Sequence, residues 1–389
     1  MSVVRTIRRV DRLVSRRRTR CILVDSRTAV NYEMVAPVVR AMSPDPRVRF
    51  AFTASEEPQR LEEIYKAAPS GRWLIGPRRA ALSRWDAYLT SDFMWAALPR
   101  GAARIQMFHG VAGKYGFDAP HDTMRQWDRL FFVNERRLRN FVTAGAIDAD
   151  SPAARLIGMP KVDCLVDGTL RRNDVLGHFR LDPARPTVLY APTWSPESSL
   201  NRLGERLLER LVQLPINVVV KLHDRSRDLR PQYSGGIDWV ARLSAVLSRP
   251  NAHLAGGANI APCLVAADVL ITDHSSAGFE YLLLDRPVVR IEVPELIRQA
   301  NVHPDYVQLM ADASLNVTTD ADAVRAVERA IAEPAERSAV RRRIAADLFY
   351  EAGTATPRCA AALYEVIELT PHPSVAPIAH EVKPCLQSA

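Results

Sequence analysis

Two doubly wound α/β domains with parallel sheets, facing each other across a cleft, are predicted by three observations on this 389-residue chain. Short apolar, β-branched runs alternate with helix-periodic segments along nearly its whole length. The runs are continuously apolar, as expected of strands covered on both faces by crossover helices. The rhythm breaks near residues 168–186 and then resumes, in a chain too long for one ordinary domain.

In order, strands are predicted at Cys21–Val24, Val48–Phe52, Trp73–Ile75, Ala87–Leu89, Ile105–Phe108, Leu130–Val133 and Leu156–Ile157. After Pro183 they resume at Thr187–Tyr190, Asn217–Leu222, His253–Leu254, Val269–Ile271, Val288–Ile291 and Leu315–Val317. Apolar spacing predicts helices over Val324–Ile331, Arg337–Phe349 and Ala360–Ile367. The expected division is 1–20 as a basic segment, 21–175 and 176–350 as two Rossmann-like domains, 351–370 as a C-terminal helix and 371–389 as a disordered tail. The last of these holds four prolines and little periodicity.

The net charge is +8, and residues 1–20, with eight Arg and one Asp, account for nearly all of it. A nucleic-acid-binding domain would spread such charge over a folded face, so no nucleic-acid partner is expected. Val3, Ile7, Val10 and Val14 recur at helical spacing within that segment. It therefore reads either as a basic amphipathic helix lying on an anionic membrane surface or as a solvated tail. No apolar run approaches the roughly 18 residues of a membrane span, and no secretory h-region is visible. The five cysteines are scattered without CxxC or Cys/His clustering, which fits a reducing cytosol and argues against a zinc site. Asp148-Ala149-Asp150 and Asp320-Ala321-Asp322 match the DxD tripeptide of metal-dependent glycosyltransferases, but both fall at turns or helix starts and are read as such. Neither metal nor cofactor is expected.

Open α/β sheets bind ligands outside the carboxyl ends of their strands, and four such junctions carry polar residues. In "VLITDHSSAGFEYLLLDRP" (269–287) a buried strand meets a helix through Thr272, Asp273, His274, Ser275 and Ser276. First-turn N–H groups with the Ser275 and Ser276 hydroxyls suit a phosphate. Asp273 and His274 would orient the ligand or contact its sugar. The plainer reading is a serine-capped helix start. In "RIQMFHGVAGKYGFD" (104–118) a strand ends in His109, followed by Gly110, Gly113, Lys114 and Gly116. This is neither a Walker loop nor GxGxxG. A histidine there suits general-base work, its ordinary pKa lying near neutrality; the alternative is a structural histidine at a turn. "NVVVKLHDRSRD" (217–228) ends in Lys221, His223, Asp224, Arg225 and Arg227, cations fit to clamp a pyrophosphate or simply a charged loop. "VLYAPTW" (188–194) offers Thr193 to a phosphate and Trp194 as a wall.

Together these pieces resemble the CDP-glycerol glycerophosphotransferase family, whose members build or prime teichoic-acid-type poly(glycerol phosphate). The motifs are Phe108-His109-Gly110-Val111-Ala112-Gly113-Lys114, Gly158-Met159-Pro160-Lys161-Val162-Asp163, Tyr190 to Trp194, Lys221-Leu222-His223-Asp224, and Asp268 to Ser276 followed by Leu283 to Pro287. They span roughly residues 105–290. The sequence departs from the family pattern where Val111-Ala112 replaces Thr-Pro, Asp224 replaces Pro and His274 replaces Tyr.

The resemblance implies the GT-B fold and transfer of glycerol phosphate, or a related polyol phosphate, from a CDP-activated donor to a hydroxyl of a lipid-linked or glycan acceptor, with release of CMP. His109 and His223 become the catalytic candidates. Thr193, Lys221, Arg225, Asp273, His274, Ser275, Ser276 and Glu280 become the donor-binding candidates, Glu280 toward the ribose. Gly110, Gly113 and Lys114 form the acceptor-side loop. The location implied is cytoplasmic, peripheral at the inner face of the membrane. Two alternatives stay open: a nucleotide-sugar glycosyltransferase or UDP-sugar 2-epimerase of the same fold, and a non-catalytic nucleotide-binding protein.

Overall fold

The structure is a computed structural model that describes residues 19–92, 99, 101–111, 113–114, 124 and 126–375. Residues 1–18 of the basic segment, Tyr115 and Gly116 of the glycine loop, and residues 376–389 of the expected tail lie outside the described residues. Two compact units divide the chain.

The first unit takes residues up to His109, Ala119–Asp163 and Phe349 onward. Its strands are β1 (Arg20–Asp25), β2 (Val48–Thr53), β3 (Trp73–Leu74), β4 (Ala87–Thr90), β5 (Ala103–Met107), β6 (Arg129–Phe132) and β7 (Ala154–Leu156). They form one parallel sheet in the order β3-β2-β1-β4-β5-β6-β7. The winding therefore reverses between β1 and β4. Arg20, counted above with the basic segment, opens β1, and its Nε donates to the Ile367 carbonyl at 3.0 Å.

The chain returns to this unit at its C-terminal end, and the Gly158–Asp163 motif holds it there. Asp163 accepts from the backbone N–H groups of Gly353, Ala355 and Thr356 at 2.9, 3.1 and 2.6 Å, occupying the open start of helix Ala355–Ile367. Arg358 of that helix donates Nε to the Ile157 carbonyl at 2.9 Å. Gly158 has φ +87°, and a Cβ there would lie 2.7 Å from the Tyr350 carbonyl oxygen, so only glycine fits. The helix buries Cys359, Leu363, Tyr364 and Ile367 and packs against helix Ala29–Met42.

The second unit takes Gly110–Asp118 and Cys164–Leu348. Its strands are β8 (Thr187–Tyr190), β9 (Asn217–Val220), β10 (Ala252–Leu254), β11 (Val269–Thr272), β12 (Val288–Ile291) and β13 (Ser314–Val317). They form a parallel sheet in the order β10-β9-β8-β11-β12-β13. β8, β9, β11 and β12 are buried at every position, which is why they read as predominantly apolar runs. On one face Val188, Val218, Ile271 and Val289 pack against Leu207, Leu208 and Val327, from helices Glu205–Leu211 and Asp320–Ala332. The predicted strand Asn217–Leu222 stops at Val220, where Lys221 and Leu222 begin the loop. Asp320 and Asp322 open helix Asp320–Ala332, whose cap Thr319 accepts the Asp322 N–H at 3.1 Å. Among the described residues no group of three or more His, Cys, Asp or Glu side chains is placed to hold a metal ion, and no helix is long and apolar enough to cross a membrane.

Candidate active site

In the second unit the winding reverses between β8 and β11, the position at which open α/β sheets take ligands. The two loops leaving those strands are bonded into one body. Asp273 is fully buried. Its Oδ1 accepts the Thr193 N–H at 2.8 Å, and its Oδ2 accepts the Ser199 N–H at 3.0 Å and hydroxyl at 2.9 Å. Burying a carboxylate is costly unless its oxygens are hydrogen-bonded, and these three donors meet that demand. The Thr193 hydroxyl donates to the His274 carbonyl at 2.7 Å, and Thr272 to the Ala191 carbonyl at 2.6 Å. Asp273 and Thr193 thus spend their polar groups on the shape of the turn.

Ser275 is the N-cap of helix Ser276–Tyr281, with φ −123° and ψ 148°, its side chain accepting the Ala277 N–H at 3.3 Å. Six residues long, this helix offers its first N–H groups more than a long aligned dipole. Ser275 and Ser276 are half-buried, so from the Asp-His-Ser-Ser run these two side chains reach the surface. His274 is buried edge-on to Phe279, with ring centroids 5.9 Å apart. Glu280 is buried as well.

The loop after β5 is built onto this same unit. Gly113 has φ +59°, and a Cβ there would fall 2.2 Å from the Tyr306 ring, so its bare backbone lies against that ring. The Gly113 carbonyl accepts the His303 N–H at 2.9 Å. Lys114, the next residue, donates Nζ to the Thr193 hydroxyl at 3.3 Å. Burial lowers the Lys114 pKa from 10.5 to about 8, against the opposing pull of Asp273. A Cβ on Gly110 would stand 3.6 Å from the Ser276 hydroxyl. The loop expected on the acceptor side therefore stands beside Thr193, Ser276 and Tyr306.

His223 caps the 3-10 turn Asp224–Arg227, its Nδ1 accepting the Arg225 N–H at 3.1 Å. The Arg225 guanidinium lies 4.4 Å from the Trp194 ring centroid and 5.0 Å from that of Tyr233. Trp194 and His223 have centroids 6.3 Å apart. Through Trp194 this cluster adjoins the Thr193–Asp273 body. Lys221 is buried, and its ammonium donates to the Gly257 carbonyl. Arg227 donates to the Ala255 carbonyl at 3.2 Å.

His109 lies in the first unit, at the carboxyl end of β5. Its Nδ1 bonds the backbone carbonyl of Ser91, the residue that follows β4. A carbonyl only accepts, so Nδ1 carries the proton and Nε2 presents its lone pair. Burial holds the His109 pKa below the ordinary 6.5, aided by the Arg137 and Lys161 charges, while Asp92 and the Ser91 carbonyl pull it up. The ring is neutral at pH 7, as a general base must be.

Several residues of these sites escape a reading by motif. Ser199, outside every motif, completes the seat of Asp273 far from it in sequence, and its hydroxyl lies 3.0 Å from that of Tyr190, a motif residue with no role assigned in the sequence reading. Tyr306 seats Gly113 from a helix with no marked motif. Arg290 had a signal: it is a charge inside the otherwise apolar strand run Val288–Ile291.

Comparison with known proteins identifies the family. The model described as CDP-Glycerol:Poly(glycerophosphate) glycerophosphotransferase matches residues 21–365. The chain belongs to this family. A teichoic acid glycerol-phosphate primase from Bacillus spizizenii is 28% identical over 137 residues, 34% of this chain and 32% of that protein. A teichoic acid poly(glycerol phosphate) polymerase from Staphylococcus epidermidis is 27% identical over 192 residues, 47% of this chain and 25% of that one. The chain thus spans a third or less of the length of these curated relatives.

Among solved structures, the wall teichoic acid polymerase TagF aligns with a TM-score of 0.65 and 15% identity, covering 93% of this chain and 97% of that one. A TagF variant soaked with CDPG for 30 minutes gives 0.66 and 17%, covering 93% and 96%. A UDP co-structure of MnaA from S. aureus gives 0.57 and 14%, covering 90% and 98%. At such identities the likeness shows the fold: two parallel-sheet α/β domains of the GT-B type.

Proposed function

We propose that this member of the family transfers glycerol phosphate, or a related polyol phosphate, from a CDP-activated donor to an acceptor hydroxyl and releases CMP. The observation that carries the reading is the seating of Lys114 on Thr193, beside the Asp273 turn and the half-buried Ser275 and Ser276. A cation and two hydroxyls meet at the winding reversal of a parallel sheet, a setting suited to a pyrophosphate. His223 and Arg225, beyond Trp194, extend the same edge.

In the reaction, an acceptor hydroxyl attacks the distal phosphorus of the donor. The new P–O bond forms as the bond to the CMP phosphate oxygen breaks, and CMP leaves with that electron pair. His109 Nε2 takes the hydroxyl proton, a role supported by its tautomer and its neutrality. Lys114 and the serine hydroxyls balance the charge on the transferring group, and such preorganised donors need no rearrangement as the reaction proceeds.

The test is incubation with CDP-glycerol, CDP-ribitol and UDP-sugars, with and without a lipid or glycan acceptor, followed by nucleotide analysis. CMP from a CDP-polyol alone is the expected result. UDP release would move the protein to the nucleotide-sugar enzymes, and binding without release would make it a non-catalytic nucleotide binder. The charge and spacing of residues 1–20 support a further assignment, to the inner face of an anionic membrane where a lipid-linked acceptor resides. Deleting residues 2–18 is expected to weaken binding to anionic liposomes while sparing turnover of a soluble acceptor; unchanged liposome binding rejects that role.

A further inference from the structure

Arg290 lies on β12 with Thr272 of β11 as its register partner, so its backbone is one strand, roughly 4.8 Å, from the residue that precedes Asp273. Only 4% of it is exposed. Of its five N–H donors, one from Nη1 reaches Asn316 Oδ1 at 3.1 Å, and the buried Nε has no hydrogen-bond partner among the described residues. No carboxylate among the described residues forms an ion pair with it. A buried guanidinium without an ion-pair partner is an expensive arrangement, and an anion received there would offset the cost. The neighbouring charges agree: Glu292 and Asp273 both act on Arg290 from beyond ion-pair range, and Asp273 also acts on Lys114. All three donors that Asp273 accepts come from Thr193 and Ser199. Lys114 and Arg290 thus share the field of one carboxylate, Asp273, whose oxygens are already taken by neutral donors, and neither cation is ion-paired among the described residues.

We propose that Arg290 is an anion-binding residue of this site, acting with Lys114 to hold a phosphate group from the β12 side of the Asp273 turn. The chemical class of ligand is a diphosphate ester. Its identity as the CDP-polyol donor rests on the function proposed above, whereas the anion site itself does not. Arg290 is unlike the other candidates in being embedded in a strand, so it is held in place before the ligand arrives and loses little freedom on binding.

The experiment measures the thermal stabilisation of the full chain by inorganic pyrophosphate, for the parent and for Arg290→Met, with Arg290→Gln alongside because removing a buried charge can change folding. Pyrophosphate is expected to raise the parent Tm, and either variant to weaken its apparent Kd at least tenfold with the unliganded Tm kept or raised. CDP-glycerol kinetics on the same proteins are expected to show the loss in KM for the donor more than in kcat. A Kd for pyrophosphate within twofold of the parent in a folded variant overturns the proposal, as does a parent that pyrophosphate fails to stabilise. Arg290-dependent pyrophosphate binding without turnover of any CDP-polyol would leave this proposal standing and reject the donor reading.

Discussion

Replacing Lys114 with Met should stabilise the protein at neutral pH while abolishing transfer. Burial has lowered the Lys114 pKa from 10.5 to about 8, and among the described residues its one hydrogen bond goes to the neutral Thr193 hydroxyl. At about 1.4 kcal/mol for each tenfold change in proton affinity, carrying that charge costs the folded state at most about 3.5 kcal/mol. The side chain is half-buried, so water returns part of this, and about 1–3 kcal/mol is expected. The pH dependence follows from the direction of the shift. Below about pH 8 both folded and unfolded chains hold the proton, and the full cost is present. Between 8 and 10.5 only the unfolded chain holds it, so the parent gains stability on the variant by up to about 1.4 kcal/mol per pH unit. Above 10.5 the cost is gone. Urea unfolding of parent and Lys114→Met at pH 7 and pH 9.5 measures both ends. A variant less stable than the parent at pH 7, or a difference that does not change with pH, would refute the electrostatic reasoning.

Three further outcomes are expected. His109→Ala should lower kcat for CDP-glycerol by at least about 10²–10³, the cost of one transition-state hydrogen-bonding group in other enzymes. In the parent, the acid limb of kcat/KM should fall below pH 6.5, because the lowered His109 pKa keeps the base form populated there; parental turnover in the variant would remove His109 as the base. Gly113→Ala places a methyl group 2.2 Å from the Tyr306 ring at φ +59°. The backbone conformation alone costs a non-glycine residue about 1–2 kcal/mol, so a Tm lower by several degrees and a weakened donor KM are expected, and an unchanged Tm would deny the close seat. Asp163→Ala removes the acceptor for three N–H groups at the start of helix Ala355–Ile367. A cap loss of about 1–2 kcal/mol should appear as faster limited proteolysis near residues 350–356, and equal proteolysis would show that the helix needs no such clasp.

Legibility in the sequence followed the range of the interaction. Strand runs such as Val269–Ile271 and Val288–Ile291 were plain because both faces of a parallel strand are buried and nearly every residue is then apolar, Arg290 being the exception in the second. The carboxyl-end junctions were legible because polar residues there break that rule locally. The roles of particular side chains were less so. Asp273 and Thr193 look like ligand contacts in one dimension but bond to each other across 80 residues. Asp163, part of a motif that would pass for a ligand loop, clasps a helix some 190 residues later.

The linear chain determined by itself that parallel sheets would form, where their strands end, and which short segments bear the chemistry, since these depend on residue patterns a few positions long. Tertiary structure alone decided which polar groups satisfy one another and which are left to meet a ligand. Lys114 belongs with Thr193, Gly113 needs Tyr306, and the Arg290 Nε has no hydrogen-bond partner among the described residues, because hydrogen bonds and desolvation depend on distances in space that no local pattern encodes.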